Sequence, residues 1–295
     1  MKFTFLIPVS FLLMITACTP VDPAVSYEQQ SIGLDSVLNA RELGGYQMAD
    51  GRTVKHGKFI RSADLGHASD RDIERLSEEF CVVRVFDLRS EYEAGRLPDR
   101  DLPGAEHRFL PVLDDSGMTA DDLMMFKAFS GKDPDALVRL AKSDIGKDFS
   151  DNMYTNFLLN EYTQLQYASF LQTVLHTDHG ATLWHCSQGK DRTGLAAAIL
   201  LLALGADMDL VMADFELSNV VYQPVVDQFA AQAREQGATD ADIEVIQTFM
   251  GVNPRVFRLA FDEVERTYGS LHDYIVNQLC FTDEEMEQLR NKYLR

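Results

Sequence analysis

The order of apolar and polar positions divides the chain into two regimes. Up to His185, short runs at Phe59-Ile60, Val82 to Leu88, Glu106 to Val112 and Thr182 to His185 predict strands. Between the first two, Ser69-Asp70-Arg71-Asp72 has the form of a capping box, and Ile73, Leu76 and Phe80 recur at helical spacing. From about 121 to 180 the pattern is helical and mixed, which predicts a helical insertion at about 115–165. After 193 it predicts consecutive helices. Leu195 to Leu204 is apolar all round and ends at Gly205, as a buried core helix does. Thr282-Asp283-Glu284-Glu285 opens the last helix with acids in its first turn. Strands separated by helical segments predict an α/β fold, a largely parallel central sheet flanked by helices.

The first residues follow different rules. Lys2 precedes an apolar run from Phe3 to Ile15 and then Thr16-Ala17-Cys18. That is the layout of a secretory signal peptide, too short to span a bilayer comfortably. The Cys directly after Ile-Thr-Ala resembles a bacterial lipoprotein signal. Residues 1–17 are therefore expected to be removed, Cys18 lipidated, and 18–35 to act as a tether for a domain spanning 36–295. The domain would be exported, anchored to a bacterial membrane, and periplasmic or surface-facing.

Composition narrows the possibilities further. With 295 residues and 46% hydrophobic content the chain has ample material for a core. Its 27 basic and 46 acidic residues give a net charge of −19. Loss of residues 1–17 removes only Lys2 and leaves −20. Such a surface does not track nucleic acid, and it reaches an anionic membrane only through its anchor. Besides Cys18 there are three scattered cysteines, with no disulfide framework or zinc spacing. Cys81 and Cys280 have apolar neighbours and are expected to be inert core residues, whereas Cys186 stands in a different setting.

Residues 184–194 read Trp-His-Cys-Ser-Gln-Gly-Lys-Asp-Arg-Thr-Gly. A buried strand, a short loop with Gly189 and a helix start make an anion cradle, where backbone N–H groups and the helix dipole converge. Cys186 stands at its mouth, in a setting that lowers a thiol's pKa. Arg192 closes it with a planar cation able to hold two phosphoryl oxygens.

Cys186-x5-Arg192 followed by Thr193-Gly194 resembles the signature loop of cysteine-dependent phosphatases. The longer string is similar to that of atypical, often secreted, bacterial tyrosine/dual-specificity phosphatases. Asn39 to Tyr46, Phe59 to Ser62, Asp87 to Ser90, Asp214 to Asn219 and Tyr268 to Ser270 agree with that family. The resemblance implies phosphate monoester hydrolysis through a cysteinyl-phosphate, without metal or other cofactor. It makes Cys186 the nucleophile and Arg192 the clamp. Thr193 would ease departure of the thiolate, His185 would keep its pKa low, and Ser187, Gln188, Gly189 and Lys190 would complete the phosphate site. Asp114 matches the family's acid position and is the first candidate for general acid, with Asp191 and then Asp115 as alternatives. Asp87 is expected to be structural, and His176 and His179 solvent-facing. Lys190 would add a second cation, suited to substrates with several phosphates, unless it pairs with Asp191. The expected substrate is a phosphorylated protein, chiefly at tyrosine. A phosphoinositide phosphatase and a non-catalytic phosphate-binding lipoprotein are the rival readings, and a rhodanese-like sulfurtransferase fits the loop less well.

Overall fold

The computed structural model describes residues 25–116 and 134–295, and its centre is one five-stranded sheet. The strands are β1 (Arg41–Glu42), β2 (Phe59–Ser62), β3 (Val82–Asp87), β4 (Glu106–Phe109) and β5 (Ala181–His185), in the order β1-β2-β5-β3-β4. Only β1 is antiparallel to its neighbour. The parallel strands overlap the runs predicted as strands, although β4 is mostly polar and exposed. β1 is too short to show a period. β4 stops at Phe109, but the N–H groups of Leu110 and Val112 still reach the carbonyls of Asp87 and Leu88 at 2.8 and 3.3 Å.

Helices cover both faces. The first are α1 (Tyr27–Gln30), α2 (Asp70–Glu74) and α3 (Glu91–Arg96). Between β4 and β5 lie α4 (Pro134–Ala141), α5 (Asp144–Leu159) and α6 (Glu161–Leu175), so the described part of the predicted insertion is helical. After β5 come α7 (Arg192–Leu204), α8 (Met208–Glu216), α9 (Ser218–Glu235), α10 (Asp240–Met250), α11 (Pro254–Tyr268), α12 (Leu271–Asp273) and α13 (Asp283–Tyr293).

The central strand β5 is buried along its whole length, which is why it reads as an apolar run. Its Leu183 joins Ile60, Val85, Ile73 and Leu76 in a core on the α2 face. Trp184 points the other way, and its ring meets Phe170 of α6 edge-on at 5.4 Å between centroids. There α7 packs as the predicted all-apolar helix, ended by Gly205 at φ 98°. Register sets Ser62 of β2 and Asp87 of β3 on either side of His185, so three strands end level with the residue before Cys186. A crevice beyond the carboxyl ends of parallel strands is where such sheets bind ligands.

One expectation needs correction. Cys81 and Cys280 are exposed, not core. Each follows a π-turn (Arg75–Glu79 and Tyr274–Gln278) and leaves it at positive φ, 50° and 49°. The flanking Val82, Leu279 and Phe281 take the interior places instead. Within the stretch expected to act as a tether, Ser26 caps α1, Ser31 bridges to Arg41 and Ile32 is buried. The signal segment and Cys18 lie outside the described residues. Among the described residues, no helix is long and apolar enough to cross a membrane.

Candidate active site

β5 delivers Cys186 to the carboxyl end of the sheet, and the chain then turns sharply into α7. The turn requires Gly189. Its φ is +64°, and a Cβ there would lie 2.2 Å from the Ser62 carbonyl oxygen and 2.3 Å from its carbon. Both are backbone atoms that cannot step aside.

The loop's carbonyls are held from behind. Tyr222 Oη donates to Gln188 O at 2.5 Å, and Asn39 Nδ2 to Gly189 O at 2.9 Å. Arg61 Nη2 donates to Gly189 O at 3.0 Å and to Lys190 O at 3.4 Å. Where α7 begins, Tyr167 holds the Arg192 carbonyl and Trp184 Nε1 the Thr193 carbonyl, each at 3.1 Å. With carbonyls anchored outside, the N–H groups of Ser187 to Arg192 take no carbonyl or side-chain partner among the described residues. Unpaired amides gathered at a helix start form an anion site.

Cys186 is 2% exposed. Burial by itself would push its thiol up. The Arg192 charge and the Thr193 hydroxyl and amide outweigh burial and hold it below the ordinary value. The Thr193 hydroxyl is buried with no partner besides the thiol among the described residues. Arg192 is held in a two-pronged pair by Glu93 of α3: Nη1 to Oε2 at 2.5 Å and Nη2 to Oε1 at 2.8 Å. Ser187 Oγ donates to the same Oε1 at 2.6 Å. Glu93 is also the third residue of α3, closing a capping box with Ser90. Burial opposes its ionisation, but Arg192 prevails and lowers its pKa to about 2.

Behind the nucleophile, His185 is fully buried with Nε2 2.9 Å from Asp99 Oδ2. Burial disfavours its charged form, yet Asp99 raises its pKa overall. Asp87, Asp99 and His185 come close enough to suggest a metal site. Arg89 already compensates both carboxylates, 2.7 Å from Asp87 and 2.9 Å from Asp99, so the group is an ion-pair cluster. Asp87 is therefore structural, as expected. His176 and His179 are exposed.

The acid candidates separate clearly. Asp191 sits in the cradle, its field acts on Cys186, and its oxygens accept from Tyr154 Oη and Lys190 Nζ, each at 2.8 Å. Asp114 is exposed, and hydrogen bonds from the Ser116 hydroxyl and amide lower its pKa, the wrong direction for an acid. Asp115 is occupied in receiving the Tyr92 N–H of α3. Lys190 does not face outward as a second cation. It is 1% exposed, and its ammonium turns inward to Asp191 and to the Thr248 carbonyl of α10 at 3.4 Å.

Sequence reading missed Glu93, Asp99, Arg61 and the tyrosines. Only Glu93 had a local signal, the Ser-x-x-Glu spacing of a capping box. Buried arginines have no periodic signature, since Arg is ordinarily a surface residue.

The same layout recurs in known proteins. Residues 32–295 match the family model described as the tyrosine phosphatase family. A Cupriavidus necator protein, whose name places it provisionally among tyrosine-protein phosphatases, is 30% identical over 94% of both chains. The triple specificity protein phosphatase PtpB of Mycobacterium tuberculosis is 28% identical over 81% of this chain and 93% of its own. A tyrosine-protein phosphatase of Nostoc commune is 28% identical over 54% of this chain and 48% of its own. A thiol in an amide cradle closed by arginine, within a chain matched almost from end to end, leads to one conclusion: this protein belongs to the tyrosine phosphatase family.

Proposed function

We propose that the protein hydrolyses phosphotyrosine on protein segments through Cys186, held outside the cytoplasm by a lipid on Cys18. One observation carries the chemistry: a buried thiol with lowered pKa stands before free backbone amides, beside an arginine already oriented by Glu93. The amides and Arg192 bind the three non-bridging oxygens of the phosphate and stabilise the charge they gain in the transition state. The Cys186 thiolate attacks phosphorus, an S–P bond forms, and the P–O bond to the leaving phenolic oxygen breaks. A carboxylic acid donates the proton that oxygen needs. Asp191 is the better placed donor, because it is the carboxyl coupled to Cys186. A water then attacks the cysteinyl-phosphate and gives its proton back to the carboxylate. Thiolate and inorganic phosphate are released, with the Thr193 hydroxyl hydrogen-bonding the departing sulfur.

With Lys190 turned inward, a protein phosphomonoester suits the site better than a densely phosphorylated inositol ring. The test is phosphate release from phosphotyrosine, phosphoserine and phosphothreonine peptides and from phosphoinositides, with vanadate and with chelator. Cys186→Ser should abolish release, vanadate should inhibit it, and phosphotyrosine should be preferred. Asp191→Asn should slow phosphotyrosine hydrolysis by about 10²–10⁴-fold and spare esters with good leaving groups. The same selectivity in Asp114→Asn alone would return the role to Asp114. A phosphoinositide preference at both low and high salt would overturn the substrate assignment.

A further inference from the structure

Three sequence blocks converge under the cradle without touching the reaction itself. Arg41 and Arg61 stand opposite each other in the β1–β2 register, both fully buried, and both reach Asp214 of α8, 2% exposed. Arg61 Nη1 lies 2.5 Å from Asp214 Oδ2, and Arg41 Nε 3.1 Å from Oδ1. Tyr46 Oη donates to that Oδ1 at 2.9 Å, and Arg41 Nη2 to the Asp214 carbonyl at 2.8 Å. Arg41 Nη1 also donates to the Asn39 side chain, whose amide holds Gly189 O. Burial pulls Arg61 down to about 10, still charged at neutral pH. Burial opposes ionisation of Asp214 too, but Arg61 and Arg41 lower its pKa, so it is a carboxylate.

The charges do not cancel. Among the described residues, Asp214 is the one carboxylate within salt-bridge range of Arg61 and of Arg41, so two cations share one anion and one positive charge is left over. A desolvated surplus guanidinium is costly unless other groups meet it. Here the groups that meet it are the Gly189 and Lys190 carbonyls. Turning them back leaves their peptide units' amides free to point forward.

We propose that Arg61, carried by Asp214 and Arg41, is the positioning residue of the phosphate cradle: it holds the loop's carbonyls rearward and sets one uncompensated buried positive charge behind the bound dianion. This rests on the active-site reading above. It assigns to the 39–46, 59–62 and 214–219 blocks a shared purpose that packing alone does not require.

The experiment uses inorganic phosphate as the probe, measured as a competitive inhibitor. It is paired with the pH dependence of Cys186 alkylation, followed on the peptide that carries Cys186 because Cys81 and Cys280 are exposed thiols. The charged and titratable groups facing that thiol are Arg192, Asp191, Tyr154, Tyr167 and Tyr222. All of them remain in every variant. Arg61→Met should weaken phosphate binding about tenfold or more and raise the alkylation midpoint by about one pH unit. Arg61→Lys keeps the charge and should recover part of both. Asp214→Asn keeps one side-chain acceptor oxygen but increases the surplus to two charges, so its midpoint should move the opposite way, downward. A purely structural role would move Arg61→Met and Asp214→Asn in the same direction, and that result overturns the proposal. So does an Arg61 variant, folded by thermal melt, with wild-type binding and midpoint. If Arg61→Met does not fold, Arg61→Lys and Asp214→Asn still give the two opposed readouts. Wild-type protein unaffected by phosphate and with an ordinary thiol would instead refute the active-site reading.

Discussion

Glu93 shows how one side chain serves several ends. It caps α3 through Ser90, fixes Ser187 and presents Arg192, all through two oxygens. Arg192 holds its pKa at about 2, below the ordinary 4.5, so folding gains from the ionised carboxylate. For a lowered acid that gain is complete above about pH 4.5 and is lost as the pH falls toward 2. Glu93→Gln should therefore cost about 3 kcal/mol at neutral pH, the scale of breaking a buried pair. Its deficit in a denaturant melt should shrink on acidification through about pH 4. A deficit independent of pH between about 7 and 3 would contradict this. At this scale the sequence was half legible. Cys186, Arg192 and Thr193 could be assigned because they are contiguous with the loop. Glu93 and Asp99 could not, because strand register and a helix cap bring them in from a distance. For Lys190 the pairing with Asp191 was open from the sequence, but its burial and the Thr248 carbonyl at its tip come only with the fold.

The strand–loop–helix element works because it is rigid at both ends. Trp184 and Thr193 tie β5 to the first turn of α7, and Gly189 allows the loop to pass against the β2 backbone. Gly189→Ala puts a methyl carbon 2.2 Å from a backbone oxygen, at a φ of +64° that alanine rarely adopts. The loop must shift, and displacement of a reacting group by about 1 Å costs on the order of 10²-fold in rate. The expected outcome is a folded protein whose kcat/KM on phosphotyrosine peptide falls by about that factor; wild-type kinetics in the variant would refute the argument. Elements were the most legible scale. Four parallel strands, the all-apolar α7 with its Gly205 stop, and the Ser69 and Thr282 capping boxes follow from period and cap chemistry. The two π-turns did not, since an extra residue in a turn leaves no mark in an apolar pattern. They carry Cys81 and Cys280 outward.

The whole molecule combines a strongly acidic charge balance with an anion cradle of backbone amides. A net charge near −20 repels anionic headgroups, so electrostatics would not keep the domain at a membrane. The anchoring proposal therefore places all the membrane affinity in the lipid on Cys18, where several acyl chains, unlike one, hold stably. Cys18→Ala should move the protein from the detergent-extracted membrane fraction to the soluble one, with kcat/KM on a soluble phosphopeptide unchanged. Retention of the variant in membranes would refute the anchor. Charge was readable at once, because it is a property of composition. The convergence of blocks from 39 to 219 on one loop was not, because it exists only after the sheet has formed.

The central claim is that catalysis passes through a phosphate bond to Cys186, and rapid acid quench during turnover of a phosphotyrosine peptide tests it most directly. Mass spectrometry of the quenched wild-type protein should find phosphate on the Cys186 peptide, and none on the same peptide of Cys186→Ser. Phosphate release that continues in Cys186→Ser, with no phosphorylated Cys186 peptide in the wild type, would contradict the account.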